Sequence, residues 1–215
     1  MAGAVPPSTL YYKLPKAPPN GNPWGRIRVG FNNATSVTKV HAGVPLDLHS
    51  IDRAKNSAYR SYLKLPPLEP WSQVVVFLTP SRKGKTPWKS EPTFSVLNLR
   101  SQALLDKNVL VRNFSNEPVA FIIDDNQPVT LNSGQRKSFV IAKKDGFHRV
   151  AAIQVQGKVP VLNTSLRFPT GTLTVMAFYN AEPQTNGGKT VGAFRTTLDK
   201  ISPEELRKKM TDLKP

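Results

Sequence analysis

The sequence predicts an all-β fold: two tandem β-sandwich domains, Ig-like or jelly-roll-like, followed by a short C-terminal α-helix. Short apolar runs recur at a spacing of about ten residues, which is typical of sandwiches. The 20 prolines and 13 glycines are spread between these runs, as in a chain with many turns. In addition, one strand–turn–strand phrase occurs twice, at 26–48 and at 108–131.

Both copies of this phrase have the same order of features. Each contains a short strand, a turn rich in Asn and Ser or Thr, a second strand and a tight turn, and ends in Pro-Leu-x-Leu or Pro-Val-x-Leu. Such self-similarity indicates related domains in tandem, and 215 residues suffice for two domains of about 100 residues each. We therefore expect an extended Pro-rich segment over 1–25, β-domains over 26–98 and 108–200, and the helix over 202–213.

In the first half, apolar alternation predicts strands at 26–31 and 37–40 that pair across an Asn-Asn-Ala-Thr turn. Residues 54–65 fit either a helix or a strand, because apolar residues occur there at both spacings. The continuous apolar run 74–78 predicts a strand central to the first core, and 94–97 predicts another strand.

The second half contains several further runs of strand length. They predict strands at 109–112, 119–123, 129–131, 139–141, 150–155 and 173–179. Thr185-Asn-Gly-Gly188 then predicts a hairpin turn between Tyr179 and Val191.

The C-terminal end carries the strongest local signal. Ser202 is suited to an N-cap, and Glu205 lies three residues later, where it closes a capping box. Pro203 occupies the first helical position, which proline favours. A short helix is therefore expected to begin here.

The chain is strongly basic, with 30 Lys and Arg against 14 Asp and Glu and a formal net charge of +16. Such a surplus favours an anionic partner: a polysaccharide, a nucleic acid, an acidic protein or a phospholipid surface. The alternative is that the charge only keeps the protein soluble. The absence of cysteine excludes disulfides and cysteine nucleophiles. No apolar run approaches the ~18 residues of a membrane span.

No sequence motif predicts catalysis. The Gly-Lys-Thr tripeptides at 84–86 and 188–190 lack the earlier glycine of a phosphate loop, which is replaced by Thr79 and Pro183. No serine lies in a Gly-x-Ser-x-Gly elbow, and the three histidines are too widely spaced to predict a metal site. We therefore expect a non-enzymatic protein with no cofactor and no metal.

Three Asn-x-Ser/Thr triplets begin at Asn33, Asn113 and Asn163. We interpret them as turn sequences rather than glycosylation sites, because Asn, Ser and Thr are frequent in β-turns.

Two basic clusters are the candidate binding sites. In the loop between the strands at 74–78 and 94–97, a Trp beside cations can stack on a sugar ring or a base while the cations contact carboxylates or phosphates. The alternative is a solvated loop whose Trp packs back onto the sandwich. The residues of this loop cluster are Arg82, Lys83, Lys85, Trp88 and Lys89. The second cluster flanks the strand at 139–141 and contains Arg136, Lys137, Lys143, Lys144 and Arg149.

Four short phrases in the chain resemble those of one known family. They are Leu10-Tyr11, Pro18-Pro19, Arg26-Ile-Arg-Val-Gly-Phe-Asn-Asn-Ala34 and Val109-Leu-Val-Arg-Asn-Phe-Ser115. In these the chain resembles the periplasmic alginate O-acetylation accessory proteins. The resemblance implies two β-sandwiches without catalytic activity, acting as an adaptor among acetylation proteins at the inner-membrane face.

Together these observations predict a non-catalytic, periplasmic or secreted binding or adaptor protein in exopolysaccharide modification or assembly. Its basic surfaces would engage an anionic glycan or a protein complex. Two alternatives remain: a structural subunit of a shell or viral coat, and a general polyanion or nucleic-acid-binding protein.

Overall fold

The protein consists mostly of β-strands in several antiparallel sheets, which confirms the prediction of an all-β fold. This computed structural model describes residues 6–16, 19, 21–30, 38, 40, 42–52, 58–70, 72–79, 88, 91–104, 106–141, 146–181, 189–200, 202, 204–205 and 208. In this part of the chain, no helix is long and apolar enough to cross a membrane.

The chain forms two compact units. Unit 1 comprises Met1–Asn98 with Ile201–Pro215, and unit 2 comprises Leu99–Lys200.

Unit 1 contains a four-stranded antiparallel sheet in the order β2-β1-β3-β4 and a two-stranded antiparallel sheet, β5-β6. The strands are β1 (Thr9–Lys13), β2 (Trp24–Arg28), β3 (Leu46–Asp52), β4 (Ala58–Leu65), β5 (Val74–Thr79) and β6 (Thr93–Asn98). The region that fitted either a helix or a strand is therefore a strand from Ala58 onward. The strands predicted at 74–78 and 94–97 are confirmed.

The N-terminal part of unit 1 differs from the prediction. The sequence predicts an extended segment over 1–25, whereas β1 lies inside the sheet, between β2 and β3. The sequence also predicts that 26–31 pairs with 37–40, whereas β2 pairs with β1. The N–H of Leu14 donates to the carbonyl of Pro23 and closes this hairpin. Residues 31–37 lie outside the described part of the chain.

The core of unit 1 follows from strand alternation. In β1, Leu10 and Tyr12 are buried, while the residues between and beside them lie on the opposite face. Leu10 and Tyr12 join a buried cluster whose other members are Leu46, Leu48, Tyr62, Leu63 and Leu65. Residues of β5 and β6 pack against this cluster: Val76, Leu78 and Val96.

Unit 2 contains two four-stranded sheets, in the orders β10-β7-β13-β14 and β12-β11-β8-β9. Their strands are β7 (Val109–Asn113), β8 (Val119–Ile123), β9 (Val129–Leu131), β10 (Arg136–Phe139), β11 (His148–Gln154), β12 (Val159–Leu166), β13 (Thr172–Asn180) and β14 (Val191–Asp199). All neighbours are antiparallel except β7 and β13, which are parallel. Both sheets contribute side chains to one buried cluster, which includes Val111, Phe121, Val150 and Phe178.

Two strands of unit 2 differ from the prediction. The strand expected at 139–141 is instead Arg136–Phe139, an edge strand with exposed basic residues and little apolar signal. Strand β12 was not predicted, because Pro160 and several polar residues interrupt its pattern. β12 is also an edge strand, and proline is tolerated at edges because no further strand needs its missing N–H.

The Asn-x-Ser/Thr triplets also differ from one another. Asn163 lies within strand β12, so its interpretation as a turn was wrong. Asn113 ends strand β7, and the segment after it leads to β8 in the other sheet. The first two strands of the second repeat copy, β7 and β8, therefore do not pair with each other. Asn33 lies outside the described residues.

The capping box predicted at the C-terminal end is formed. The Ser202 Oγ accepts the N–H of Glu205 at 3.0 Å, and the N–H of Ser202 donates to Glu205 Oε2 at 3.2 Å. Glu204, Glu205 and Lys208 have helical backbone. The remaining residues of 203–213 lie outside the described part, so a helix over the whole range stays a prediction.

Candidate binding surface

An aromatic cluster lies on the four-stranded sheet of unit 1. Tyr11 lies between the buried Leu10 and Tyr12 in β1 and therefore on the face of the sheet opposite the core. The strand register places Tyr11 opposite Arg26 of β2 and His49 of β3. Residues of three neighbouring strands thus meet on this face.

The rings of this cluster contact one another closely. Trp24 stacks on Tyr59, with ring centroids 4.0 Å apart and planes inclined by 14°. Tyr11 contacts Tyr59 edge-on at 5.3 Å, and His49 contacts Trp24 edge-on at 4.9 Å. Each ring comes from a different strand of the sheet, and Tyr59 is 36 % exposed. The other three rings are half-buried, so the cluster is open to solvent in part.

Cationic side chains border the aromatic cluster. The two-residue period of β2 places Trp24, Arg26 and Arg28 on the same face of the strand. Lys13, on the same face of β1 as Tyr11, is opposite Trp24. Arg26, Arg28 and Lys13 are all exposed. The aromatic cluster and these three cations are hereafter called the aromatic-cationic face.

His49 is held in place from β3 and β4. Its Nε2 lies 3.4 Å from Asp47 Oδ2, and Asp47 Oδ1 accepts a hydrogen bond from Ser61 Oγ at 2.8 Å. The Nδ1 atom of His49 is buried and has no hydrogen-bond partner within the part of the chain that the structure describes. These contacts hold the imidazole in its edge-on contact with the Trp24 ring.

The aromatic and cationic side chains of this face are of the kinds that contact ligands at protein surfaces. Arginine binds carboxylates in a bidentate geometry, and aromatic rings supply rigid apolar contact area at low cost in conformational entropy. Trp, Tyr and Arg are also the residues that dominate binding energy at protein surfaces. Among the described residues, no group of three His, Asp or Glu side chains could hold a metal ion.

The predicted loop cluster is described only at Trp88. Arg82, Lys83, Lys85 and Lys89 lie outside the described residues. Trp88 is half-buried, and its carbonyl accepts a hydrogen bond from the Tyr62 hydroxyl at 3.1 Å. Burial raises the pKa of Tyr62 to about 12, so this hydroxyl stays protonated and able to donate. The backbone at Trp88 is therefore hydrogen-bonded to a buried residue of β4.

The second predicted cluster is divided between the two sheets of unit 2. Arg136 and Lys137 are exposed on β10, which pairs with β7, whereas Arg149 is exposed on β11, which pairs with β8 and β12. β10 and β11 therefore do not form a hairpin that these charges flank. Lys143 and Lys144 lie outside the described residues.

A buried histidine lies next to Arg149. His148 Nδ1 is 2.7 Å from Asp124 Oδ2, and its ring packs against Phe168 with centroids 5.4 Å apart. Asp124 Oδ1 also accepts the N–H of Arg149 at 2.9 Å. Asp124 thus connects the turn after β8 to the start of β11, which is a structural role.

Sequence reasoning missed the aromatic-cationic face. A signal was present, because Trp24, Arg26 and Arg28 alternate with Gly25 and Ile27 as a half-buried strand requires. The predicted strand began at Arg26 and so excluded Trp24. No local sequence pattern around Tyr59 or His49 predicts that these residues lie on the same sheet face as Trp24.

Comparison with protein-family models and with curated proteins finds no match to this chain. The resemblance to alginate O-acetylation accessory proteins therefore stays a prediction that rests on the four quoted phrases.

Proposed function

We propose that this protein is a non-catalytic binding protein that engages an acidic polysaccharide through the aromatic-cationic face of unit 1. The observation that carries the proposal is the meeting of four aromatic rings from four strands with two exposed arginines on one sheet face. The protein acts as an adaptor in exopolysaccharide modification or assembly, in the periplasm or after secretion. The resemblance of its short phrases to the alginate accessory proteins supports this setting.

The spacing of the arginines favours a polymer over a small anion. Same-face neighbours in a strand lie about 7 Å apart, because each residue advances the chain by about 3.4 Å. Arg26 and Arg28 can therefore contact acidic groups on two different sugar residues. The rings beside them supply apolar contact area for the sugar bodies, while Lys13 extends the positive charge across β1.

The proposed architecture is a β-sandwich in each unit with a short helix at the C-terminal end. In unit 2 the shared core of the two sheets supports a sandwich. In unit 1 the packing of Val76, Leu78 and Val96 against the core cluster supports one as well. The capping box at Ser202 and Glu205 supports the helix.

The test is calorimetric titration of the whole protein with polygalacturonate at low and high salt. Removing two charge-assisted contacts costs about 1.5–3 kcal/mol or more, so the double variant Arg26→Gln, Arg28→Gln should bind at least about tenfold more weakly. Its loss of affinity should be largest at low salt, since exposed charges are screened beyond about 8 Å at physiological ionic strength. Trp24→Ala should weaken binding by a similar factor at both salt concentrations.

A matched control is Arg195→Gln, which removes an exposed arginine from β14 of unit 2 and should leave the affinity unchanged. Equal affinity of wild type and the Arg26/Arg28 variant would contradict the proposal. Tighter binding of single-stranded DNA than of the uronate polymer would instead indicate a nucleic-acid-binding protein. Large particles in light scattering would indicate a shell or coat subunit.

A further inference from the structure

One face of the sheet β12-β11-β8-β9 in unit 2 points away from the core of that unit. Alternate residues of its two inner strands belong to the buried cluster: Val119, Phe121 and Ile123 of β8, and Val150 and Ala152 of β11. Successive side chains of a strand point to opposite faces of the sheet. The residues between these buried ones therefore lie on the opposite face, hereafter called the outer face of unit 2.

The centre of the outer face is aliphatic. The strand register places Ala151 opposite Ile122 and Ile153 opposite Ala120, so four apolar side chains from two neighbouring strands adjoin one another. Ile153 is 41 % exposed, and the other three residues are half-buried. Because β8 and β11 are the inner strands of the sheet, this apolar strip runs along the middle of the face.

Two exposed arginines lie at one end of the apolar strip. Arg149 is opposite Ser165 in the register of β11 and β12, and Arg167 lies two residues after Ser165. Diagonal neighbours of this kind are about 7–8 Å apart, which long side chains can span. The guanidinium of Arg167 lies over the ring of Phe147, 4.4 Å from its centroid, and Phe147 is 67 % exposed. A guanidinium stacked in this way keeps its N–H donors at its edge, where they can bind a carboxylate.

The positive charge of the outer face has no acidic counterpart on that face. Among the residues that the described register places there, none is Asp or Glu. Asp124, at the end of β8, directs its carboxylate to His148 Nδ1 and to the N–H of Arg149. Within the described part of the chain, neither Arg149 nor Arg167 forms an ion pair. Charge complementarity therefore favours an acidic partner, whereas a second copy of this chain would bring the same net charge of +16.

We infer that the outer face of unit 2 binds a partner protein whose own surface is apolar at its centre and acidic at its edge. Carboxylates of the partner contact Arg149 and Arg167, and its apolar side chains cover Ala151 and Ile153. Protein interfaces have this anatomy, with an apolar core, a polar rim, and Arg and Phe enriched. A polysaccharide fits the face less well, because the centre is aliphatic and Arg167 covers one side of the Phe147 ring. The inference does not rest on the polysaccharide site proposed for unit 1.

The experiment uses an array of synthetic peptides of about eight residues, which span β11 when extended. One set alternates Asp or Glu with Val, Ile, Leu or Phe. A second set replaces the acidic residues by Asn or Gln, and a third replaces the apolar residues by Gly or Ser. The whole protein should bind the acidic-apolar set at least about tenfold more tightly than either control set, because only that set satisfies both parts of the face. Binding to none of the sets, or equal binding to all three, would overturn the inference.

Variants of the whole protein assign this binding to the outer face. The double variant Arg149→Gln, Arg167→Gln should bind the acidic-apolar peptides at least about tenfold more weakly, with a smaller loss at high salt. Ile153→Thr keeps a β-branched residue but loses aliphatic area, and should weaken binding about fourfold at both salt concentrations. The matched control Arg195→Gln changes an exposed arginine of β14, in the other sheet, and should alter the affinity less than about twofold. Equal losses in the double variant and in this control would overturn the inference.

Two comparisons separate this site from the aromatic-cationic face. Arg26→Gln, Arg28→Gln should bind the acidic-apolar peptides as the wild type does, and a loss there equal to that of the Arg149/Arg167 variant would overturn the inference. The Arg149/Arg167 variant should keep its affinity for polygalacturonate. If it lost that affinity while binding the peptides normally, the outer face would be a polysaccharide site instead, and the inference would be wrong.

Discussion

The hydrogen bonds of Asn113 yield a sharp prediction about stability. This side chain is fully buried in unit 2, and its Nδ2 donates to the carbonyls of Glu117 at 2.8 Å and Leu131 at 2.9 Å. Its Oδ1 accepts the N–H of Ser115 at 2.9 Å and the Ser115 hydroxyl at 2.6 Å. The side chain therefore joins the end of β7, the segment after it and the end of β9.

Asn113→Ala should lower the free energy of unfolding by roughly 2–5 kcal/mol, because a buried group left without its hydrogen bond costs about 1–3 kcal/mol. The Leu131 carbonyl and the Ser115 N–H each lose a buried hydrogen bond and carry the full energetic cost. Water can replace the bond to the partly buried Glu117 carbonyl. The melting temperature should fall by about 10 °C or more for a domain of this size. Urea denaturation followed by far-UV circular dichroism measures the change.

Two control variants isolate the role of these bonds. Ser115→Ala keeps the bond from its N–H to Asn113 and should cost only about 1 kcal/mol. Asn163→Ala changes an exposed residue of β12 that begins the same kind of triplet, and should cost less than about 0.5 kcal/mol. A loss below about 1 kcal/mol for Asn113→Ala, or equal losses at Asn113 and Asn163, would refute the reasoning.

Three other predictions follow from local geometry. A Cβ added by Gly25→Ala would overlap the ring of Tyr12, which is in the core, so this variant should lose about 1–3 kcal/mol in urea titration; a neutral result would mean that the ring moves aside freely. Ser202→Ala should cost about 0.5–2 kcal/mol by removing the capping box with Glu205, and unchanged stability would argue against a helix beginning there. The pKa of Tyr62 is raised by burial to about 12, above the ordinary value of 10.0, so its stabilising contribution is present below pH 10 and is lost as pH rises toward 12. In Tyr62→Phe, the urea midpoint of unfolding should fall less steeply between pH 10 and pH 12 than in the wild type. A fall as steep as that of the wild type would mean that other groups cause it.

The sequence by itself determined which segments are strands wherever the apolar pattern is continuous. The runs at 74–78, 119–123 and 129–131 each form the predicted strand, because burial of a short apolar segment outweighs other local preferences. The capping box at Ser202 and Glu205 was equally predictable, since both partners lie within one turn of chain. The edge strands β10 and β12 were misplaced or missed, because partly exposed strands keep polar residues and proline.

Only the tertiary structure decided which strands are neighbours, and with that the candidate sites. Trp24 and Tyr59 are far apart in the sequence and belong to the two outer strands of their sheet. Arg112 and Arg136 oppose each other only because β10 pairs with β7 in one register, since a shift by one residue would move every side chain to the other face. Strand pairing depends on the summed burial of many side chains across the whole unit. A local pattern of residues therefore cannot predict it.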